Sequence, residues 1–145
     1  MSGPSPFVVR AADWAADGPV LRAIRTEVFI EEQQVPAQLE WDAEDEQAWH
    51  VLAMIADGTA VGTGRLLRDG RIGRMAVLRQ WRGKGAGGAL LTGLLRIAQA
   101  AGLDNLVLNA QTHAIGFYAR FGFQPEGETF LEAGIPHRVM CLRLA

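Results

Sequence analysis

The sequence predicts an α/β domain in which helices cover both faces of a mixed β-sheet. Short strand-like runs of apolar residues alternate with segments in which apolar residues recur at helical spacing. In the first half two such runs are joined by a tight turn, as in an antiparallel hairpin, whereas in the second half strands alternate with helices. No linker, repeat or low-complexity tract divides the 145 residues, so we expect one domain spanning residues 1–145.

The first strand and the first helix precede an acidic stretch. Residues 7–9 form a short apolar run, and Asp17 and Pro19 are typical of a helix start. The apolar positions of this helix are Val20, Leu21, Ile24, Val28 and Phe29. Pro36 prevents the helix from continuing. The acidic residues of segment 40–47 predict a solvated loop.

An antiparallel hairpin follows. Residues 50–56 and 60–67 read as strands joined by Asp57-Gly58-Thr59, and residues 72–77 read as a third strand.

The second half alternates strands with helices. A helix begins near Gly83 and ends at Gly102, which is a typical C-terminal stop. Its apolar face comprises Leu90, Leu91, Leu94, Leu95, Ala98 and Ala101. A buried strand at 106–108, a short helix at 114–121 and a last strand at 139–144 complete the chain.

Composition excludes several classes of function. The net charge of -2 gives no general attraction to nucleic acid. The sequence contains no signal peptide and no membrane-spanning stretch, so we expect a cytoplasmic protein that does not bind membranes. The single cysteine, Cys141, cannot form an internal disulfide and is expected to be buried in the last strand. No activating base accompanies it, which argues against a nucleophilic role.

A glycine-rich turn between strand 72–77 and the following helix is the strongest functional signal. Its sequence is Arg82-Gly83-Lys84-Gly85-Ala86-Gly87-Gly88. Free N–H groups and the positive dipole end at a helix start attract anions, and glycines let a phosphate approach the backbone. The turn therefore predicts a phosphate site, to which Arg82 and Lys84 add positive charge.

Other readings of the turn fit less well. A Walker A loop requires Ser or Thr after its lysine, but Gly85 follows Lys84. Gly83, Gly85 and Gly88 satisfy the dinucleotide pattern G-x-G-x-x-G, yet the next strand ends in Asn109 rather than in an acidic residue. A glycine-rich helix start without any ligand stays open.

Two motifs resemble those of the GNAT superfamily of N-acetyltransferases. Arg82, Gly85 and Gly87 match the pattern Q/R-x-x-G-x-G/A of its pyrophosphate loop. Segment 111–123 is similar to its N-x-x-A-x-x-x-Y-x-x-x-G-F signature, with Gln111 in place of Asn. Segments 25–33 and 134–137 resemble the ElaA-type branch, whose substrates are poorly defined. The resemblance implies a mostly antiparallel sheet of about six or seven strands.

The resemblance also implies an activity, which is transfer of an acetyl group from acetyl-coenzyme A to a primary amine. The alternative is a coenzyme A-binding module or sensor without turnover. In the family, backbone groups equivalent to Met75, Ala76 and Val77 pair with the pantetheine arm. Tyr118 matches the tyrosine that protonates the leaving thiolate, although it could instead only pack in the core. The coenzyme-binding residues implied are Met75, Ala76, Val77, Arg82, Gly83, Lys84, Gly85, Ala86, Gly87, Gly88, Gln111 and Tyr118.

The general base is not evident, because Gly73 stands where many relatives carry a glutamate. A protonated amine must lose a proton before it attacks a carbonyl, so a base or a water chain is required. The candidates are His50, His113, His137, Glu31 and Glu32. His137 is preferred, because a loop before the last strand often borders the acceptor cleft in this fold.

The acidic segment gives no metal site. Asp42, Glu44, Asp45 and Glu46, with His50, lack a defined ligand spacing, so no metal is expected. A negative rim that attracts a cationic amine is the preferred interpretation. The sequence leaves open whether the acceptor is a small molecule or a peptide, and whether the protein is a homodimer.

Overall fold

Helices cover both faces of a seven-stranded sheet, as the sequence predicts, in a computed structural model that describes residues 6–144. The strands are β1 (Val8–Ala12), β2 (Trp49–Met54), β3 (Ala60–Leu66), β4 (Arg71–Val77), β5 (Asn105–Gln111), β6 (Gln124–Glu132) and β7 (Ile135–Arg143). Their order in the sheet is β1-β2-β3-β4-β5-β7-β6, and only β4 and β5 run parallel. The helices are α1 (Gly18–Arg25), α2 (Ala37–Glu40), α3 (Ala86–Ala100) and α4 (Ile115–Ala119).

Two apolar clusters hold the helices on opposite faces of the sheet. Leu90 and Leu94 of α3 pack with Val51 on one face. Leu21 of α1 packs with Leu52 on the other face. Because successive side chains of a strand point to opposite faces, neighbouring residues of β2 serve the two clusters.

Strands β4 and β5 separate after two pairs of residues. Their parallel pairing covers Arg71 with Val107 and Ile72 with Leu108. A bulge then interrupts the pairing of β4 with β3, and Arg74 lies in the left-handed region at φ 50°. Beyond Ile72, β4 therefore keeps only β3 as a partner, and its other edge faces a gap that opens toward the end of β5.

The sequence failed to predict β6 and the start of β7. Segment 124–132 pairs with β7 as an edge strand, and β7 begins at Ile135 rather than at residue 139. His137 consequently lies within a strand and not in a loop. Cys141 is in β7 as expected, but it is half-buried, with its sulfur 3.5 Å from an oxygen of Glu126. The prediction of a buried cysteine was wrong. Strand β7 lies next to the edge strand β6, and the Cys141 side chain there stays partly exposed.

The acidic segment is only partly solvated, because two of its acids are buried and residues Ala43–Glu46 form a helical turn, which corrects a second prediction. Glu40 and Asp45 are only 2% and 1% exposed. The Arg25 guanidinium, itself 1% exposed, donates to Glu40 Oε2 and to Asp45 Oδ1, at 2.7 Å each. Arg65 donates to Asp45 Oδ1 at 2.9 Å as well. Buried charges are costly unless they are paired, so this network fixes the segment over β3 and β4.

Candidate active site

A cleft with a volume of about 720 Å³ opens where β4 and β5 separate. Most of the predicted site residues meet there. Those that line the cleft are Met75, Ala76, Val77, Arg82, Gln111, His113, Tyr118 and His137. Glu32 lies at its wall, whereas Glu31 is exposed and does not line it. The rest of the glycine-rich turn, residues 83–88, does not line this cleft. Lys84, Gly85 and Gly88 line a separate cavity of about 750 Å³.

The free edge of β4 offers backbone groups to the cleft. Leu78 N–H donates to Val61 O at 2.9 Å, toward β3. Because peptide groups alternate in direction along a strand, those of Val77 point to the opposite edge. Val77 O accordingly accepts a hydrogen bond from Arg82 Nε at 2.8 Å, and pairing with β5 has already ended. An extended ligand could therefore add to β4 as an additional strand.

The glycine-rich turn has the backbone of an anion site. Gly83 and Gly85 lie at φ 76° and 96°, a region that other residues rarely adopt, and Gly85 is the N-cap of α3. Ala89 N–H makes the first hydrogen bond of the helix, to Gly85 O at 3.1 Å. The preceding N–H groups, of Ala86, Gly87 and Gly88, have no intrahelical acceptor. A 15-residue helix dipole adds positive potential at the same point.

The two cations of the turn differ in their surroundings. Lys84 is exposed. Arg82 donates from both terminal nitrogens to Glu32, at 2.6 and 2.7 Å. These hydrogen bonds lower the pKa of Glu32, so that its carboxylate stays ionised and paired. Glu32 is thus poorly suited to accept a proton from a substrate.

Tyr118 brings a hydroxyl group to the free edge of β4. Its Oη lies 3.7 Å from the sulfur of Met75, a weak acceptor. The ring is wedged between Phe117 and Phe123 in edge-on contacts. Burial raises the pKa of Tyr118 to about 12, so the hydroxyl keeps its proton at neutral pH. It can therefore donate a proton or a hydrogen bond into the cleft.

His137 presents one ring nitrogen that is free of backbone contacts. Its Nδ1 lies 2.6 Å from Ile135 O, a distance that requires Nδ1 to carry the hydrogen. Nε2 is then the basic nitrogen, 3.5 Å from Glu132 Oε2. Asn109 donates to the other oxygen of Glu132 at 3.0 Å. Both Glu132 and Asn109 line the cleft, and neither was predicted as a site residue. Glu132 was missed because β6 was not recognised.

The other two histidines differ from His137. His50 is 2% exposed, stacks on Trp14, and has Nε2 2.8 Å from Asp45 O. Burial lowers its pKa, and it does not line the cleft, so it has a structural role. His113 is exposed at the edge of the cleft. Within residues 6–144 no group of three His, Cys, Asp or Glu side chains is arranged to hold a metal ion.

A glutamine pair links the N-terminal segment to β5. Gln111 Nε2 donates to Gln33 Oε1 at 3.1 Å, and Gln33 directly follows the π-helical turn Thr26–Glu32. Consecutive residues of this segment therefore contact the two walls of the cleft, Glu32 through Arg82 and Gln33 through Gln111. π-Helical turns are frequent at functional sites.

The model of the acetyltransferase (GNAT) domain family matches residues 11–144. The chain belongs to the GNAT family. The uncharacterised N-acetyltransferase YjcF of Bacillus subtilis is 39% identical over 122 residues, covering 81% of this chain and 86% of that protein. This GNAT domain is accordingly an acyltransferase, and its family uses acetyl-coenzyme A.

Solved structures agree with this assignment. An acyl-CoA N-acyltransferase from Pseudomonas aeruginosa is 32% identical with a TM-score of 0.81, and Escherichia coli ElaA is 28% identical with a TM-score of 0.82. Each comparison covers 93% of this chain and 98% of the other. The likeness to ElaA confirms the branch expected from the sequence. No helix within residues 6–144 is long and apolar enough to cross a membrane.

Proposed function

We propose that this GNAT domain transfers an acetyl group from acetyl-coenzyme A to a primary amine by direct attack. The observation that carries the proposal is the arrangement of three features, two of which line the cleft while the third follows Arg82 beside it. These are the unpaired edge of β4, the helix start behind the glycine-rich turn, and the Tyr118 hydroxyl. Each suits a different part of the coenzyme, namely the pantetheine arm, the pyrophosphate and the thioester.

The residues fit acetyl-coenzyme A, which supplies an acetyl group activated as a thioester. Backbone groups of Met75 and Val77 would pair with its extended arm, Ala76, whose backbone faces β3, would line it, and an N–H group of this edge would polarise the carbonyl. Donors fixed in a strand need little reorganisation when charge develops on that oxygen. The free N–H groups from Ala86 to Gly88 and the charge of Lys84 would hold the pyrophosphate.

Tyr118 would act as general acid. Its raised pKa keeps the proton on Oη throughout the physiological range. A thiolate that leaves beside Met75 would lie within reach of this hydroxyl. The proton is then delivered where negative charge forms.

His137 would accept the proton of the amine through Nε2, directly or through water. The hydrogen bond from Nδ1 to Ile135 O fixes the ring, and Nε2 retains its lone pair. The Glu132 carboxylate lies 3.5 Å from Nε2. Gly73 supplies no side chain on β4 that could replace His137 in this role.

A coenzyme A-binding module without turnover is the second candidate. Gly73 favours it, because β4 offers no carboxylate base. Thiol release from acetyl-coenzyme A in the presence of a panel of amines separates the two functions. An acetyltransferase releases thiol and forms an N-acetyl product detectable by mass spectrometry. A sensor shows tight binding of coenzyme A without release above the uncatalysed rate with any amine.

A further inference from the structure

Arg65 faces a vacant position across the β3–β4 ladder. Its direct partner in the antiparallel register is Gly73. Residues opposite one another in such a pair project to the same face of the sheet, about 5 Å apart. A Cβ built on Gly73 would meet no atom within 4 Å. Both residues line the cleft.

One edge of the Arg65 guanidinium has no partner in the described residues. Nη1 donates to Asp42 and to Asp45, at 2.9 Å each. Nε is buried and makes no hydrogen bond, and no hydrogen bond from Nη2 is formed. The side chain is 6% exposed. A buried donor without a hydrogen-bond acceptor costs free energy, so the vacant edge indicates that a hydrogen-bond acceptor is missing.

The geometry of the vacant edge indicates which chemical group would accept its hydrogen bonds. Nε and Nη2 lie on the same side of the planar guanidinium and together match the two oxygens of a carboxylate. The surrounding network does not oppose an additional anion. Its three arginines, Arg25, Arg65 and Arg74, balance its three acids, Glu40, Asp42 and Asp45.

We propose that the acceptor of the proposed acetyl transfer is an amine that also carries a carboxylate, and that Arg65 binds this carboxylate in the space over Gly73. This assignment rests on the proposed acetyl transfer, and it names the class of amine that the cleft would accept. Held there, the acceptor extends along the cleft that also contains the edge of β4 and Nε2 of His137. The carboxylates of Glu44 and Glu132, which also line the cleft, attract its ammonium group.

The first test compares matched amines. Thiol release is measured with phenylalanine, phenylalaninamide and phenethylamine, and with lysine and cadaverine. We expect kcat/KM to be at least about tenfold higher for the carboxylate-bearing member of a set, the usual effect of hydrogen bonds to a charged group. Equal values within each set would overturn the proposal, because an acceptor held through its carboxylate must react faster than the matched amine that lacks one.

The second test fills the space without disturbing the Arg65 network. Gly73→Glu places a carboxylate opposite Arg65, where the cleft has room for it. It should raise KM for the carboxylate-bearing amine at least about tenfold and leave KM for acetyl-coenzyme A unchanged. Gly58→Glu adds the same side chain to the distant β2–β3 turn and should leave both values unchanged. A Gly73→Glu variant with an unchanged amine KM would contradict the proposal.

A binding measurement keeps this test separate from the proposed function. With coenzyme A present, amino acids should raise the melting temperature of the wild-type protein more than their decarboxylated amines do, and Gly73→Glu should abolish the difference. If no amine supports thiol release but this difference is found, the proposed turnover fails and the carboxylate site stands. If thiol is released without any preference for carboxylates, only the carboxylate site is refuted.

Discussion

Gly85→Glu tests whether the start of α3 binds the pyrophosphate, as we propose. A Cβ at Gly85 meets no atom within 4 Å, so the new side chain fits. Its carboxylate would occupy the helix start and repel the pyrophosphate. Acetyl-coenzyme A should stabilise the wild-type protein but not this variant.

The expected effect follows from the size of the chain. Ligand at one hundred times its Kd stabilises a folded protein by about 2.7 kcal/mol. For 145 residues an unfolding entropy of about 2 cal/mol/K per residue turns this into a rise in melting temperature of about 9 °C. A thermal-shift assay with acetyl-coenzyme A resolves such a rise easily. NAD should produce none.

Backbone strain has to be separated from loss of the ligand. Gly85 is at φ 96°, so any side chain there costs roughly 1–3 kcal/mol in the free protein. Gly58→Glu is the matched control, because Gly58 is at φ 88° with equally open space and lines neither the cleft nor the cavity beside Gly85. Both variants should melt earlier without ligand, and only Gly85→Glu should lose the shift. A full shift in Gly85→Glu would refute the assignment of the turn.

Three further substitutions test the site and the fold. Tyr118→Phe should lower kcat by at least about tenfold with unchanged affinity for coenzyme A, because the proton is needed only as the thiolate leaves. Since the pKa of Tyr118 is raised to about 12, wild-type turnover should not decline through loss of this proton up to about pH 10, and a decline that Tyr118→Phe removes would contradict the role. His137→Ala should lower kcat roughly a hundredfold or more, whereas His113→Ala should have little effect; similar rates for both variants would exclude His137 as base. Arg25→Ala should reduce the free energy of unfolding by about 3–5 kcal/mol in a denaturant titration, because it removes a buried partner of Glu40 and Asp45 and leaves the network with one acid more than its arginines. Arg22→Ala, on the exposed side of the same helix, should cost less than about 1 kcal/mol; comparable losses would show that the buried network is not the cause.

The sequence predicted the elements whose signals are local. The apolar stripe of α3 and the glycines before it determine both the helix and its anion-binding start. The short runs that became β2 to β5 were recognisable because their apolar side chains are buried by helices on both faces. These elements form the part of the molecule that we propose binds the coenzyme, which is why that part could be described before the structure.

Edge strands lack such a signal. Strand β6 is exposed at nearly every position and contains Pro125, Gly127 and three glutamates, so it shows no alternation. It exists because β7 offers it an edge to pair with, which is a tertiary effect. Missing β6 placed His137 in a loop and concealed Glu132, its neighbour in the cleft.

The buried acids depended on partners distant in sequence. Asp45 is paired with Arg25 and Arg65, each 20 residues away, and its neighbours Glu44 and Glu46 remain exposed. A run of acids alone could not show which members are buried. One local sign existed: Arg25 follows Leu21 by one helical turn and therefore lies on the apolar face of α1.

A crystal structure with acetyl-coenzyme A bound tests the central claim most directly. We expect the pantetheine arm to pair with the edge of β4 at Met75–Val77, the pyrophosphate to contact the N–H groups that follow Gly85, and the thioester sulfur to lie beside Tyr118 Oη. The amine of a co-bound acceptor should enter from the side of His137. A coenzyme bound elsewhere, with the gap between β4 and β5 empty, would contradict the account.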